Sequence, residues 1–72
     1  FIMSMVERLA ARLEDEPDDF DGWMRLGNAF SVLGDREQAI AALERAEVLL
    51  SVAPQNDPRR QTLQEALARM RQ

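Results

Sequence analysis

The chain has 72 residues, a size that allows one small domain. Hydrophobic residues make up 46% and the formal net charge is −4, which excludes a disordered chain and argues against nucleic acid as the main partner. The absence of Cys and His excludes disulfides, zinc-thiolate sites and histidine chemistry. Since the chain begins with Phe1, we expect it to be a fragment of a longer protein whose upstream signals lie outside this sequence.

The first predicted helix covers residues 2–14. Its apolar residues recur at the three- and four-residue spacing of one helix face: Ile2, Met5, Val6, Leu9 and Leu13. Pro17 ends this helix, because Pro supplies no N–H donor and disfavours the helical conformation in the preceding residue. Six carboxylates lie around this end: Glu14, Asp15, Glu16, Asp18, Asp19 and Asp21. They form either a solvated surface or an acidic patch that, opposite a basic last segment, orients a partner.

The second predicted helix covers residues 19–33. Asp18 or Asp19 caps its first turn, since a carboxylate accepts the free N–H groups there. Its apolar face consists of Trp23, Leu26, Phe30 and Leu33. Gly34 then provides the left-handed residue that commonly ends a helix.

The third predicted helix covers residues 36–52. Asp35 is its N-cap and Gln38 follows three residues later, which is the pattern of a capping box. Its apolar face consists of Ala39, Ile40, Leu43, Ala46 and Leu50. Pro54 stops it, within the clearest loop of the chain.

The fourth predicted helix covers residues 58–71, with Asp57 as cap and Pro58 at the first helical position. Leu63, Leu67 and Met70 form its apolar face, with Ala66 beside it. Short loops between the helices predict antiparallel neighbours packed in sequence order. The expected fold is therefore all-α, with residues 1–72 forming one domain.

A repeat motif occupies the two central helices. The spacing Trp23-x2-Leu26-Gly27-x2-Phe30 resembles the opening of a tetratricopeptide repeat (TPR), with Phe in place of Tyr. Gly34 falls in the turn between the helices, and small, large and small residues follow at the expected positions: Ala39, Leu43 and Ala46. This resemblance implies one full repeat from about residue 20 to 51, a helical hairpin of TPR type with a flanking helix on each side.

Two prolines bear on the limits of this repeat. Pro17 lies six residues before Trp23, where the closing Pro of a preceding repeat would fall. Pro54 comes three residues later than the closing Pro of the main repeat should, which predicts a third helix about one turn longer than usual. The alternative is a generic antiparallel helical bundle that matches the motif by chance.

A longer stretch resembles one family in particular. Residues 5–14, followed by Pro17-Asp-Asp-Phe-Asp-Gly-Trp23, are similar to the TPR domain of the CcmI (also called CycH) family of bacterial c-type cytochrome biogenesis proteins. The resemblance covers residues 5–46. Asn28 stands where the family often has Arg, and Leu43 where it often has Tyr.

That resemblance implies a chaperone-like role. In the family, a membrane-anchored protein holds apocytochrome c in the periplasm, partly through the cytochrome's C-terminal helix, and delivers it to the haem-ligation machinery. Two other interpretations remain open: a generic TPR adaptor for a different peptide or protein, and a self-assembly module.

TPR grooves are lined mainly by the first helix of each repeat. By this pattern, the candidate peptide- or protein-binding residues are Asp21, Met24, Arg25, Asn28, Ser31 and Val32. The helical spacing agrees, because it places four of them on a face distinct from the apolar one: Met24, Asn28, Ser31 and Val32. The alternative is an ordinary solvated face with one exposed Met.

A second candidate surface lies at the ends of the stack, where an apolar face would meet another copy in a homo-oligomer. The residues concerned are Phe1, Ile2, Met3 and Met5 at one end, and Leu63, Leu67 and Met70 at the other.

No pattern indicates an enzyme, a cofactor or a metal site. The hydroxyl side chains lack a familiar activating partner, and no phosphate-binding Gly loop is present. Aligning Gly22 with the central Gly of a calcium loop puts Pro17 and Asn28 where the loop needs acidic ligands, so that match fails. The apolar stretches are far too short to span a bilayer, so we expect this fragment itself to be soluble.

Overall fold

A computed structural model describes residues 2–71, with side chains from Ser4 onward. The chain forms α1 (Ile2–Asp15), α2 (Phe20–Val32), α3 (Arg36–Leu49), a 3-10 turn (Leu50–Val52) and α4 (Pro58–Arg71). No strand occurs among the described residues, so the predicted all-α class is confirmed. None of the helices in residues 2–71 is both long and apolar enough to cross a membrane.

The helix ends lie where the local signals place them. The Asp19 carboxylate accepts a hydrogen bond from the Gly22 N–H at 3.0 Å, and the Asp35 carboxylate accepts one from the Gln38 N–H at 3.2 Å. Gly34 has a φ of 80°, a left-handed backbone conformation in which a residue with a side chain would be strained. These caps satisfy N–H groups that have no partner inside their own helix.

The predicted capping box at Asp35 is only half formed. The Asp35 N–H donates to the Phe30 carbonyl at 2.9 Å, so it does not bond to the Gln38 side chain. The tight turn through Gly34 brings the end of α2 close enough to take that donor. The prediction of a reciprocal box was therefore wrong, although the cap itself is present.

The start of α4 is fixed by an Asp–Arg pair. Asp57 accepts hydrogen bonds from the Arg59 guanidinium at 2.7 Å and from the Arg59 N–H at 2.9 Å. These two bonds lower the pKa of Asp57 to about 2, so the cap stays ionised in all but strong acid. The same guanidinium lies 5.2 Å from the centre of the Phe20 ring, which joins the start of α4 to the start of α2.

All four helices contribute to one core, as the apolar faces predict. Its buried members are Val6, Leu13, Trp23, Leu26, Ala42, Leu43, Ala46, Leu50, Leu63 and Leu67. Five further residues of the predicted faces are half-buried against this core: Leu9, Phe30, Ile40, Ala66 and Met70. Two others lie largely outside it. Met5 is 68% exposed because its side of α1 borders an open groove, and Leu33 is 38% exposed because it follows the last turn of α2.

Consecutive helices pack antiparallel. Leu13 near the end of α1 lies against Gly22 in the first turn of α2, and a Cβ built at Gly22 would lie 2.6 Å from the Leu13 Cδ2. Between α3 and α4, Arg71 at the end of α4 reaches Glu44 at 3.3 Å, and Gln64, earlier in α4, reaches Glu47, later in α3, at 3.5 Å. The chain thus folds back on itself at each short loop.

The third helical segment ends in the 3-10 turn, held by Arg60 of α4. The Arg60 Nη2 donates to the carbonyls of Leu50 at 2.6 Å and of Ala53, and its Nε donates to the Pro54 carbonyl at 2.8 Å. The segment does run to Val52 as predicted, but its last three residues are tightened from α to 3-10. Arg60 therefore binds the additional turn that precedes Pro54 to α4.

Replacing Arg60 with Ala should lower the free energy of unfolding by about 1–2 kcal/mol, because three carbonyls lose one charged donor. Replacing it with Lys should recover less than half, since an ammonium lacks the planar fork. Urea unfolding followed by circular dichroism measures both. An equal loss in Arg69→Ala, a change at an exposed arginine of the same helix, would contradict this role for Arg60.

Candidate protein-binding surfaces

A concavity with a volume of about 620 Å³ lies between α1 and α2. We call it the α1–α2 groove. Apolar side chains form its floor: Met5, Val6, Leu9, Ala29 and Val32. Three arginines complete its lining: Arg8 and Arg12 from α1, and Arg25 from α2. An apolar floor with cationic groups at its border suits a protein ligand that is itself amphipathic.

The predicted binding residues of α2 divide between two sides of that helix. Arg25 and Val32 line the α1–α2 groove. Asn28 and Ser31 line a much smaller cleft of about 100 Å³, which Ala66, Arg69 and Met70 of α4 border on the other side. Helical spacing alone places these residues on one face of α2, but α1 borders one side of that face and α4 the other. Whether any of them binds a ligand stays a prediction.

Met24 and Asp21 lie outside both concavities. Met24 is half-buried and packs against the core, so it contributes more to the fold than to an open surface. Asp21 is exposed in the first turn of α2. The six predicted residues therefore do not form one groove.

The contribution of α1 was missed from the sequence. Met5, Arg8 and Arg12 follow one another at three- and four-residue spacing, so they share a face of α1 with Leu9 beside them. The pattern contained this signal. Arg8 and Arg12 are charged and lie beside the predicted apolar face, so hydrophobic periodicity does not single them out.

The second predicted surface is partly overturned. Leu63 and Leu67 are 1% exposed and Met70 is half-buried, because α4 turns this face towards α3 and the core. At the other end, Met5 is open to solvent, while Phe1 and the side chains of Ile2 and Met3 lie outside the described residues. An end face of α4 therefore does not offer an apolar surface to a second copy.

A second, smaller concavity of about 410 Å³ lies between α1 and α3. Trp23 and Phe30 line it, and the Arg45 guanidinium lies 5.3 Å above the centre of the Trp23 ring. This side chain covers the aromatic surface that would otherwise attract a ligand. The α1–α2 groove has the more apolar lining of the two.

The acidic stretch is solvated. Its carboxylates are exposed except for the half-buried Asp19, and Arg12 reaches Glu16 at 3.7 Å and Asp19 at 3.9 Å. Exposed pairs at these distances add little to stability. Within the described part of the chain, no three side chains of metal-binding type come together.

These features define the class of protein. Residues 2–71 form an all-α unit of antiparallel helices that displays an open, amphipathic groove, and no polar or charged side chain is buried among the described residues.

Two curated relatives place this unit in a biological context. The chain is 51% identical over 41 residues to the cytochrome c-type biogenesis protein CycH of Bradyrhizobium diazoefficiens, and 45% identical over 42 residues to the CycH of Rhizobium meliloti. The matched segment makes up 57% and 58% of this chain. It spans 11% of the length of each relative. No family model matches the chain, and no solved structure matches it significantly.

Proposed function

We propose that this chain is a TPR-type binding module of a c-type cytochrome biogenesis protein, where it holds apocytochrome c for haem ligation. The observation that carries the proposal is the 51% identity to a CycH protein over 41 residues. That degree of identity falls on a unit whose groove suits a protein ligand.

The packing supports the TPR assignment. Trp23 and Leu26 are buried, and Gly27 and Ala39 are small where α2 and α3 approach closely. Gly34 makes the turn between them. These are the packing roles that the repeat pattern assigns to its Trp, Leu, Gly and Ala positions.

In this proposal the chain is a chaperone and not an enzyme, and it needs no cofactor of its own. The partner is apocytochrome c, bound partly through its C-terminal helix, and the haem-ligation components receive it. The full-length protein is anchored in the membrane and presents this module in the periplasm. These features follow from the family resemblance, and the two relatives, both cytochrome c-type biogenesis proteins, support the role in cytochrome c biogenesis.

A peptide titration tests the proposal. The 72-residue chain is titrated with C-terminal helical peptides of c-type apocytochromes, and binding is followed by NMR chemical-shift changes. We expect saturable micromolar binding to these peptides and none to scrambled peptides of the same composition. Absence of binding at high micromolar concentration, with the helical fold intact by circular dichroism, would overturn it.

Self-assembly is the second candidate, favoured by the exposure of Met5 (68%) and Val32 (75%) on one groove. Sedimentation over a concentration series distinguishes the two functions. A tight dimer that excludes the apocytochrome peptides would favour self-assembly, and a monomer that binds them would reject it.

A further inference from the structure

The α1–α2 groove has a cationic end and an apolar end. Arg12 and Arg25 lie at the end next to the turn that joins α1 to α2, while Met5 and Val32 lie at the opposite end. Arg8 stands between them on α1. Because the two helices run antiparallel, Arg12 lies across the groove from Arg25, and Met5 lies across it from Val32.

The arginines of this groove are little used within the chain. Among residues 2–71, no ion pair engages Arg8 or Arg25, and Arg12 makes only the two long contacts described above. Arg8 and Arg12 are four residues apart on one helix, a spacing at which like charges repel. Each guanidinium also carries donors that match a carboxylate in a planar fork. An anionic ligand would relieve the repulsion and occupy these donors.

The shape of the groove favours a helix as its occupant. Two packed helices form its walls, and the ridges of a third helix fit between them. An extended peptide gains affinity by pairing with a free strand edge, and both walls here are helices whose backbone groups are paired internally. From Met5 to Arg12 the groove runs about 10 Å along α1, the length of two helical turns.

We infer that the α1–α2 groove binds an amphipathic helix with a two-turn apolar stripe and carboxylates at one end. The stripe covers the apolar floor towards Met5 and Val32, and the carboxylates lie against Arg12 and Arg25. This inference rests on the proposed protein-binding function and specifies its site and the chemistry of the ligand. The net charge of −4 and the nearby acidic stretch repel polyanions such as nucleic acid and anionic membranes far more than a helix with a few carboxylates, which favours a protein helix as the ligand.

Three synthetic helices test the inference on the 72-residue chain. The first has leucines at helical spacing over two turns and glutamates at one end; the second has lysines in place of the glutamates; the third has serines in place of the leucines. We expect the acidic helix to bind about tenfold more tightly than the basic one, and the serine helix not to bind. Added salt should weaken the acidic complex.

Groove variants locate the site. Val32→Gln should weaken binding of the acidic helix about tenfold, because it removes exposed apolar surface without changing any charge. Val52→Gln is the matched control: Val52 is 92% exposed in the 3-10 turn, away from the groove, and binding should not change. The double variant Arg12→Glu/Arg25→Glu should reverse the preference and favour the basic helix. Circular dichroism verifies the fold of each variant.

The inference is overturned if the acidic and basic helices bind equally, or if neither binds. It is also overturned if Val32→Gln and Val52→Gln weaken binding of the acidic helix equally, or if the chain forms a dimer that Val32→Gln dissociates. The apocytochrome titration is repeated with Val32→Gln. Unchanged apocytochrome binding would preserve the proposed function and reject the α1–α2 groove as its site. Binding of the acidic helix without binding of apocytochrome peptides would keep the α1–α2 groove as a helix-binding site and reject apocytochrome c as its ligand.

Discussion

Trp23→Ala should leave the chain largely unfolded at room temperature. Trp23 is 8% exposed in the core, and truncating a buried Trp costs about 3–5 kcal/mol. A single core in a domain of this size rarely supplies more than about 3–5 kcal/mol in total. The measurement is the far-ultraviolet circular dichroism signal without denaturant and its urea dependence.

Trp23→Phe separates the ring from its hydrogen bond. The Trp23 Nε1–H donates to the Pro17 carbonyl at 2.8 Å, and Phe keeps an aromatic ring but lacks this donor. We expect a loss of about 1–2 kcal/mol, with amide hydrogen exchange accelerated more in α1 than in α4, because this bond ties the α1–α2 turn to α2. Circular dichroism is the appropriate probe, because Trp23 is the sole tryptophan and its replacement removes the tryptophan fluorescence signal.

Arg45→Gln is the control for the Trp23 series. It removes the guanidinium 5.3 Å above the ring and leaves the hydrogen bond intact, so it should cost less than about 1 kcal/mol. If Trp23→Phe costs no more than Arg45→Gln, or loosens α1 and α4 equally, the bond to Pro17 does not hold the turn.

This bond gives a physical reason for a spacing found in the sequence. Pro17 and Trp23 are six residues apart, and the structure shows that this distance lets the indole reach the Pro17 carbonyl. The helix ends at Asp19, Gly34 and Asp57 were likewise predictable, because a cap depends on residues within one turn of it. Helix caps and turns of this kind can therefore be predicted from short stretches of sequence.

The candidate site was less predictable, because it depends on which helices flank α2. Spacing put Asn28 and Val32 on one face, but α1 borders one side of that face and α4 the other. In the same way, the pattern showed that Leu63 and Met5 belong to apolar faces without showing that one packs against a neighbour and the other lies open. Arg60 was missed because its carbonyl partners lie up to ten residues earlier.

The contact between Gly27 and Leu43 should produce strong coupling between two substitutions. A Cβ at Gly27 would lie 2.8 Å from the Leu43 Cδ2 and 3.0 Å from its Cγ, and Leu43 is 3% exposed, so it has little room to move. Gly27→Ala should therefore destabilise the chain by about 1 kcal/mol, because overpacking outweighs the better helix propensity of Ala. Leu43→Ala should cost about 2–5 kcal/mol through lost burial and a cavity.

In the Leu43→Ala background, the sign of Gly27→Ala should reverse. The obstructing side-chain atoms are gone, so the added methyl group fills part of the cavity and the helix propensity gain remains, which stabilises by up to about 1 kcal/mol. The measurement is urea unfolding of the original chain, the two single variants and the double variant. Sucrose is present throughout, because it stabilises the folded state and keeps the Leu43→Ala variants folded enough to measure. Ala68→Gly, at an exposed site on α4, is the control and should cost the same in both backgrounds. A coupling energy near zero for Gly27 and Leu43 would mean that α2 and α3 can separate at this point, so that glycine would not be required for their close approach.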